Sequence, residues 1–185
     1  SDLQQRNLFR RKEIMMIIWL NGAFGAGKTT IAHELQQKLP NAIIYDPEII
    51  GSALMELVPE EMKENDFQEY QEWRCWNAHL LKRMSKESGR PIIVPMTLYK
   101  KEYEEELIGY LRRAGIDVYH FLLAVEKEEI LQRLLKRNDG TFEWGKNKLP
   151  EVFEGFRQIK FTEIFRNHSA DTTEIVASIL NRITE

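Results

Sequence analysis

Cysteine, long apolar runs and excess positive charge are all scarce in this sequence, and each absence excludes a class of protein. Cys75 is the only cysteine among 185 residues, so no intramolecular disulfide can form; this suits a reducing, cytoplasmic location, where we expect the protein. No run of about 18 apolar residues is present, so we expect no membrane-spanning helix. The formal net charge of −3 at pH 7 gives no support for nucleic-acid binding, which usually shows a basic domain or stripe.

The remaining sequence alternates between strand-like and helix-like patterns. Short apolar runs, typical of strands buried on both faces of a parallel sheet, occupy residues 16–20, 42–45, 91–95 and 116–123, with a weaker fifth candidate at 165–170. Helical periodicity is found at residues 29–39, 68–88, 102–114, 127–137 and 173–183. This order predicts right-handed βαβ units in a three-layer α/β domain.

Two of the helical patterns predict defined apolar faces. The face of 68–88 comprises Trp73, Trp76, Leu80, Leu81 and Met84, and the face of 127–137 comprises Ile130, Leu131, Leu134 and Leu135. Cys75 has no evident partner for nucleophilic chemistry, and we expect it to be a small buried residue.

The length predicts one domain, which we assign to residues 14–185. Residues 1–13 are interpreted as a tag remnant or an extended start. The segment 138–150 is rich in glycine, asparagine and lysine and lacks periodicity. It predicts a mobile loop, and a long loop inside a compact domain is often a lid.

Residues 22–29, Gly-Ala-Phe-Gly-Ala-Gly-Lys-Thr, match the pattern G-x-x-x-x-G-K-[ST] of a P-loop. Glycines let the backbone approach phosphates closely, and the N-terminus of the following helix favours anions. The Lys28 ammonium is expected at the β- and γ-phosphates, and the Thr29 hydroxyl at Mg²⁺. The predicted ATP-binding residues are Gly22, Ala23, Phe24, Gly25, Ala26, Gly27, Lys28, Thr29 and Thr30.

Two further absences narrow the kind of P-loop protein. Residues 147–150, Asn-Lys-Leu-Pro, lack the aspartate of an Asn-Lys-x-Asp guanine reader, so guanine specificity is not supported. Residues 91–96 contain no acid, unlike the acidic strand end of large motor ATPases. The four histidines show no metal-site spacing. Small size and a candidate lid favour a kinase-like enzyme that takes ATP.

Two acidic residues follow the second predicted strand. Ligands of open parallel sheets bind outside the carboxyl ends of the strands, so Asp46 is placed near the γ-phosphate. It is a candidate catalytic and substrate-binding residue that accepts a hydroxyl proton or holds Mg²⁺ through water; the alternative is a helix N-cap. Glu48 is a second candidate, although the first turn of a helix attracts acids in any case.

Three arginines are candidates for charge stabilisation. Arg133 and Arg137 lie four residues apart on one helical face, just before the candidate lid, where guanidinium groups suit phosphate oxygens. A solvated helix face is the alternative. Arg74 lies within an aromatic cluster and is a candidate substrate-binding residue; the alternative is an internal salt bridge.

Several segments resemble the ATP-binding tunicamycin-resistance protein family: residues 17–29 (Ile-Ile-Trp-Leu-Asn-Gly-Ala-Phe-Gly-Ala-Gly-Lys-Thr), 45–48 (Tyr-Asp-Pro-Glu), 66–68 (Asp-Phe-Gln), 73–74 (Trp-Arg) and 93–97 (Ile-Val-Pro-Met-Thr). That family is similar to chloramphenicol phosphotransferase and to the shikimate and gluconate kinases. The resemblance implies a five-stranded parallel sheet in the order 2-3-1-4-5.

The same resemblance carries implications for individual residues. Asp46 matches the general-base position of chloramphenicol phosphotransferase, and Arg133 and Arg137 match the stretch that leads into the lid. The family's resistance protein has a further basic amphipathic C-terminal stretch linked to membrane association. The chain printed here ends at Glu185, so we expect no membrane association.

Three functions remain open from the sequence. The first is an ATP-dependent phosphotransferase acting on a hydroxyl of a small molecule. The second is a non-catalytic, ATP-dependent protein that sequesters tunicamycin or a similar nucleoside antibiotic. The third is a kinase for nucleosides or nucleotides. The expected partner is a small molecule rather than nucleic acid, and the oligomeric state is left open.

Overall fold

The structure, a computed structural model, describes residues 15–168 and 171–185. Residues 1–13, interpreted above as a tag remnant or extension, lie outside the described residues. The strands are β1 (Met16–Gly22), β2 (Ile43–Ile44), β3 (Ile92–Pro95), β4 (Asp117–Ala124) and β5 (Glu163–Arg166). The five strands are parallel and lie in the order β2-β3-β1-β4-β5, which confirms the predicted 2-3-1-4-5 sheet.

Helices connect the strands and cover both faces of the sheet. They are α1 (Lys28–Lys38), α2 (Glu48–Leu57), α3 (Gln71–Ser88), α4 (Lys101–Glu104), α5 (Tyr110–Arg113), α6 (Lys127–Arg137), α7 (Phe142–Gln158) and α8 (Thr173–Thr184). A π-helical turn, Glu105–Gly109, joins α4 to α5, and two 3₁₀ turns, Glu60–Met62 and Phe67–Glu69, lie between α2 and α3.

Strand β1 lies at the centre of the sheet and is buried along its whole length. Its side chains alternate between two hydrophobic cores, with Ile18 and Leu20 in one and Ile17 and Trp19 in the other. The P-loop begins at the carboxyl end of this central strand. The hydrophobic cores on both faces of the sheet therefore fix its starting point. None of the described helices is long and apolar enough to cross a membrane.

The loop predicted for residues 138–150 is wrong from residue 142 onward, because α7 begins at Phe142 and continues to Gln158. Its glycines serve packing. A Cβ on Gly145 would lie 2.8 Å from Leu134 Cδ1, and one on Gly155 only 2.0 Å from the Tyr99 carbonyl oxygen. Of the two glycines in the predicted loop, Gly140 precedes α7 and Gly145 lies within it against Leu134. A glycine used for helix packing, together with Asn147 and the neighbouring lysines, resembles loop composition in a sequence.

The predicted apolar faces are correct in part. Trp73 and Leu81 are fully buried, whereas Trp76 is 47% exposed and Leu80 is 38% exposed on the outer face of α3. Leu135 is also exposed. Cys75 is exposed as well, which corrects the expectation of a buried thiol. Helix α3 packs through Trp73 and Leu81 into the core that contains Ile17 and Trp19 of β1, and Trp76 and Leu80 lie outside that core.

Candidate functional site

The P-loop, residues 22–29, makes a tight turn between β1 and α1. Gly25 and Gly27 have φ values of 78° and 94°, in the left-handed region that favours glycine. A side chain at Gly27 would also collide with Asn167, whose Nδ2 lies 2.7 Å from an ideal Cβ. The first N–H groups of α1 have no partner within their own helix. The turn therefore offers backbone donors to an anion at a helix N-terminus.

The Lys28 ammonium lies inside this turn. Its Nζ donates hydrogen bonds of 2.9 Å to the carbonyl oxygens of Gly22 and Ala23. Burial lowers the pKa of Lys28 to about 7; the Glu48 carboxylate opposes this shift and Arg137 adds to it. A cation held among neutral carbonyls has an incomplete electrostatic environment, and a phosphate group would complete it.

Side chains from three other segments hold the P-loop from outside. Thr97 donates through Oγ1 to the Gly22 carbonyl at 2.7 Å, and Asn167 donates through Nδ2 to the Ala26 carbonyl at 2.8 Å. Arg133 donates to the Gly25 carbonyl at 2.9 Å and to the Asn167 carbonyl at 3.0 Å. Arg133 thus ties the P-loop to the segment after β5.

Asn21, the residue before the P-loop, is fully buried and uses both ends of its amide. Its Oδ1 accepts from the N–H groups of Gly22 (2.8 Å) and Leu98 (3.0 Å). Its Nδ2 donates to the Leu98 carbonyl at 2.6 Å and lies 3.0 Å from Nε2 of buried His120. Because Nδ2 can only donate, His120 Nε2 is the acceptor, and the imidazole proton is on Nδ1.

A cleft with a volume of about 400 Å³ opens beside the P-loop, within the size range of small-molecule sites. Its lining combines one P-loop residue with residues of α2, the 64–68 segment, the end of β3, α6 and α7. The lining residues are Phe24, Glu48, Met55, Glu64, Asn65, Asp66, Phe67, Gln68, Met96, Thr97, Leu134, Arg137, Thr141, Trp144 and Gly145.

The two acids after β2 occupy different positions. Both acids are exposed, and Asp46 Oδ1 accepts from the Glu48 N–H at 2.9 Å, so Asp46 caps the start of α2, the second role that the sequence allowed. Glu48 lines the cleft. Loss of hydration between the cleft walls raises the pKa of Glu48, and the Asp46 carboxylate raises it further, while Lys28 and Arg137 lower it. Of the two acids, Glu48 is therefore the one that lines the cleft and acts on Lys28.

The three candidate arginines also differ. Arg137 lines the cleft, and its Nη2 would lie 4.0 Å from a Cβ on Gly25. Arg133 is engaged with the P-loop backbone and with Glu129. Arg74 is 9% exposed, donates to Glu106 and to the Gln68 carbonyl at 2.6 Å each, and stacks over the Tyr103 ring. Arg74 therefore forms an internal ion pair, which was the alternative to a substrate-binding role in the sequence analysis.

Residues assigned no role by the sequence analysis complete the site. Gln68 lines the cleft and donates through Nε2 to the Thr97 carbonyl at 2.8 Å, and Asp66 accepts from the Tyr99 hydroxyl at 3.0 Å. Trp144 contacts Phe24 with ring centroids 4.7 Å apart. Residues 66–68 and 93–97 were part of the family resemblance, but neither segment contains a motif that indicates a function. Their side chains come together only in the folded protein.

Thr29 is exposed in the first turn of α1, next to Lys28. Among the described residues, no cluster of three or more histidine, cysteine or acidic side chains is suited to hold a metal ion on its own. A hydroxyl at the edge of a phosphate site suits Mg²⁺, which keeps several waters and is bound largely through substrate phosphates.

Comparison with known proteins agrees with this geometry. A family model described as an AAA domain matches residues 17–152. The Deinococcus radiodurans tunicamycin resistance protein is 30% identical and superimposes with a TM-score of 0.74, over 90% of this chain and 94% of that one. No curated protein sequence matches at the same stringency.

Two kinases share the fold at lower identity. A Sinorhizobium meliloti gluconokinase is 16% identical with a TM-score of 0.64, over 93% of both chains. The Mycobacterium tuberculosis APS kinase, in complex with AMPPNP and APS, is also 16% identical with a TM-score of 0.64, over 92% of this chain and 98% of that one. The fold is that of nucleotide-binding P-loop kinases.

Proposed function

The chain belongs to the AAA domain family and to the family of the D. radiodurans tunicamycin resistance protein, and from this membership we propose that it is an ATP-dependent phosphotransferase acting on a hydroxyl group of a small molecule. One observation carries the proposal. The cleft beside the P-loop is lined by a carboxylate, Glu48, and a guanidinium, Arg137, and the charges of both act on Lys28. An acceptor hydroxyl bound in this cleft would have both a base and a stabilising cation available.

In this proposal the P-loop amides and Lys28 bind the β- and γ-phosphates. Thr29 would hold Mg²⁺, which supplies charge neutralisation on the phosphates when it is bound. Arg137 stabilises the charge on the equatorial oxygens during transfer, and Arg133 keeps the P-loop in place. Most of the rate enhancement comes from positioning and electrostatics, because phosphoryl transfer needs little covalent chemistry from the protein.

Glu48 accepts the proton of the acceptor hydroxyl. The hydroxyl oxygen forms a bond to the γ-phosphorus, the bond from that phosphorus to the β–γ bridging oxygen breaks, and ADP leaves. In this proposal Asp46, the base predicted from the sequence, caps α2 and raises the pKa of Glu48 through its charge. A raised pKa brings a carboxylate closer to the working range of a general base. A cap does not exclude a role as base, so the two acids are tested against each other below.

The first prediction tests these roles with the variants Glu48→Gln and Asp46→Asn. We expect Glu48→Gln to lower transfer by roughly 10²- to 10⁴-fold, the usual contribution of a general base, with nucleotide affinity unchanged. Asn can also cap a helix, so Asp46→Asn should lower transfer less. ATP consumption with a panel of hydroxylated acceptors, followed by mass analysis, measures both effects.

Each other outcome of this experiment has a defined meaning. If Asp46→Asn loses transfer and Glu48→Gln retains it, the base is Asp46. If wild-type protein binds an acceptor only with ATP and yields no phosphorylated product, the phosphotransferase proposal is wrong and sequestration replaces it.

A further inference from the structure

The cleft lining carries more negative than positive side chains. We define the nucleotide side of the cleft as the P-loop with Arg137, where Lys28 and Arg137 are the cations. The acceptor side, residues 64–68 together with Glu48 and Met55, carries three carboxylates, Glu48, Glu64 and Asp66. Arg137 is the only lysine or arginine among the described lining residues. Its positive charge lowers the pKa of Lys28.

Cations near the acceptor side already have carboxylate partners. Lys100 pairs with Glu69, and Lys148 pairs with Glu151 at 2.9 Å. Arg74 pairs with Glu106 at 2.6 Å. A phosphate, sulfate or carboxylate group on the acceptor would therefore face three carboxylates, with Arg137 as the only lysine or arginine of the described lining, and like-charge contacts oppose binding.

Gln68 adds an observation independent of charge. It is 1% exposed and lines the cleft, its Nε2 donates to the Thr97 carbonyl, and its backbone carbonyl accepts from Arg74. Its Oε1 is buried and has no hydrogen-bond partner among the described residues. A buried acceptor without a partner is costly, so a donor on the ligand, an O–H or an N–H, would be favoured here.

The apolar part of the cleft lining is partly aromatic. It consists of Phe24, Met55, Phe67, Met96, Leu134 and Trp144. Trp144 is 40% exposed within this lining, where its ring contacts Phe24. Aromatic and methionine side chains suit the apolar face of a ring.

We propose that the acceptor is an uncharged or cationic alcohol with hydrogen-bond donors and an apolar ring face, and that the cleft rejects anionic acceptors. This inference rests on the proposed function for the identity of the cleft as the acceptor site. It distinguishes this protein from a nucleoside-monophosphate kinase, whose acceptor carries a dianion.

The second prediction measures binding without requiring transfer. Calorimetry in the presence of AMPPNP compares two matched pairs: uridine with uridine 5′-monophosphate, and a phenyl glucoside with the corresponding phenyl glucuronide. The neutral member of a pair should bind at least about tenfold more tightly than the anionic member, because only the latter faces the carboxylates. Equal or tighter binding of the anionic members, or no binding by any of the four, would overturn the inference.

Two pairs of variants assign the effect to the cleft. Glu64→Lys should reduce the preference for neutral ligands by several-fold, whereas Glu61→Lys, on the exposed 3₁₀ turn outside the cleft, should leave it unchanged. Trp144→Leu should weaken binding of both neutral ligands, whereas Trp76→Leu, on the outer face of α3, should not. Equal effects of a cleft variant and its control contradict the assignment.

The two proposals fail in different ways. Selective binding of the neutral ligands without a phosphorylated product from ATP removes the phosphotransferase function and leaves the selectivity of the cleft in place. Efficient phosphorylation of the anionic members leaves the phosphotransferase function in place and removes the selectivity.

Discussion

The nucleotide side and the acceptor side of the cleft are built on different principles. On the nucleotide side, loop carbonyls are held by side chains from distant segments: Gly22 by Thr97, Gly25 by Arg133 and Ala26 by Asn167. On the acceptor side, Gln68 Oε1 has no hydrogen-bond partner among the described residues, and Glu64 is exposed. The backbone of the nucleotide side is thus held by the protein's own side chains, whereas the acceptor side retains a buried acceptor atom that a ligand could pair.

This difference follows from what each side must recognise. A triphosphate is the same ligand throughout a broad class of proteins, so backbone amides and one lysine suffice. The acceptor differs from one kinase to another. We therefore expect it to be selected by side chains that still have a free hydrogen-bond donor or acceptor. The third to fifth predictions test whether the two sides are separable in this way, from the largest expected effect to the smallest.

The third prediction concerns Lys28→Ala, which should break the nucleotide side alone. Removal of a positioned charge at transferring phosphates typically costs roughly 10²- to 10³-fold in rate, and nucleotide affinity should fall with it. Binding of a neutral acceptor without nucleotide should change little. Lys38→Ala, at the other end of α1, is the control and should match wild type in calorimetry and turnover. Equal loss of nucleotide and acceptor binding would show that the two sides are not separable.

The nucleotide side is also the part that the sequence predicts well. The motif at residues 22–29 lies within one segment, and continuous apolar runs identify the central strands, so the P-loop and the parallel sheet follow from local patterns. Asn21, Thr97 and Asn167 are missing from that prediction because each acts across a sequence separation of 75 residues or more.

The acceptor side is less predictable for the same reason. Gln68, Trp144 and Glu48 come from three elements that meet only when the sheet is assembled. The loop expected at 138–150 also hid Trp144, because Gly145, which packs against Leu134 inside α7, has the composition of irregular chain when only the sequence is seen. For Arg74, both interpretations were compatible with the sequence, and only the position of Glu106 on the π-helical turn distinguishes them.

The fourth prediction concerns the effect of pH on stability through His120, which contacts Asn21 beside the P-loop. Asn21 binds both Gly22 and Leu98, and it is held in turn by neutral His120. Burial lowers the pKa of His120, which Glu104 partly offsets and Arg112 reinforces. As pH falls below about 6.5, the unfolded chain takes up a proton that the folded chain excludes, so the free energy of unfolding decreases by up to about 1.4 kcal/mol per pH unit.

Urea unfolding at pH 7, 6 and 5 measures this effect. His120→Gln should remove about 1–2 kcal/mol of the loss between pH 7 and pH 5, because glutamine does not titrate. His79→Gln, on the exposed face of α3, should keep the wild-type pH dependence. Parallel pH profiles for wild type and His120→Gln would show that His120 does not limit stability in acid.

The fifth and smallest prediction compares two arginines on α3. Arg74 is nearly buried, and its side chain holds the Gln68 carbonyl and Glu106, whereas Arg83 forms an exposed pair with Glu87 one turn away. Arg74→Gln should lower the free energy of unfolding by about 1–2 kcal/mol, because it leaves the Gln68 carbonyl buried without its donor. Arg83→Gln should cost less than about 0.5 kcal/mol, as is usual for exposed helical pairs.

The same two substitutions also test the two sides of the cleft through the KM values for the acceptor and for ATP. The partners of Arg74 in the described part of the chain are Gln68, Glu106 and Tyr103, none of which belongs to the P-loop. Arg74→Gln should therefore raise the KM for the acceptor and leave the KM for ATP unchanged. Arg83→Gln should alter neither value. If Arg74→Gln raises both KM values equally, the packing around α3 supports the whole cleft, and the acceptor side is not an independent unit.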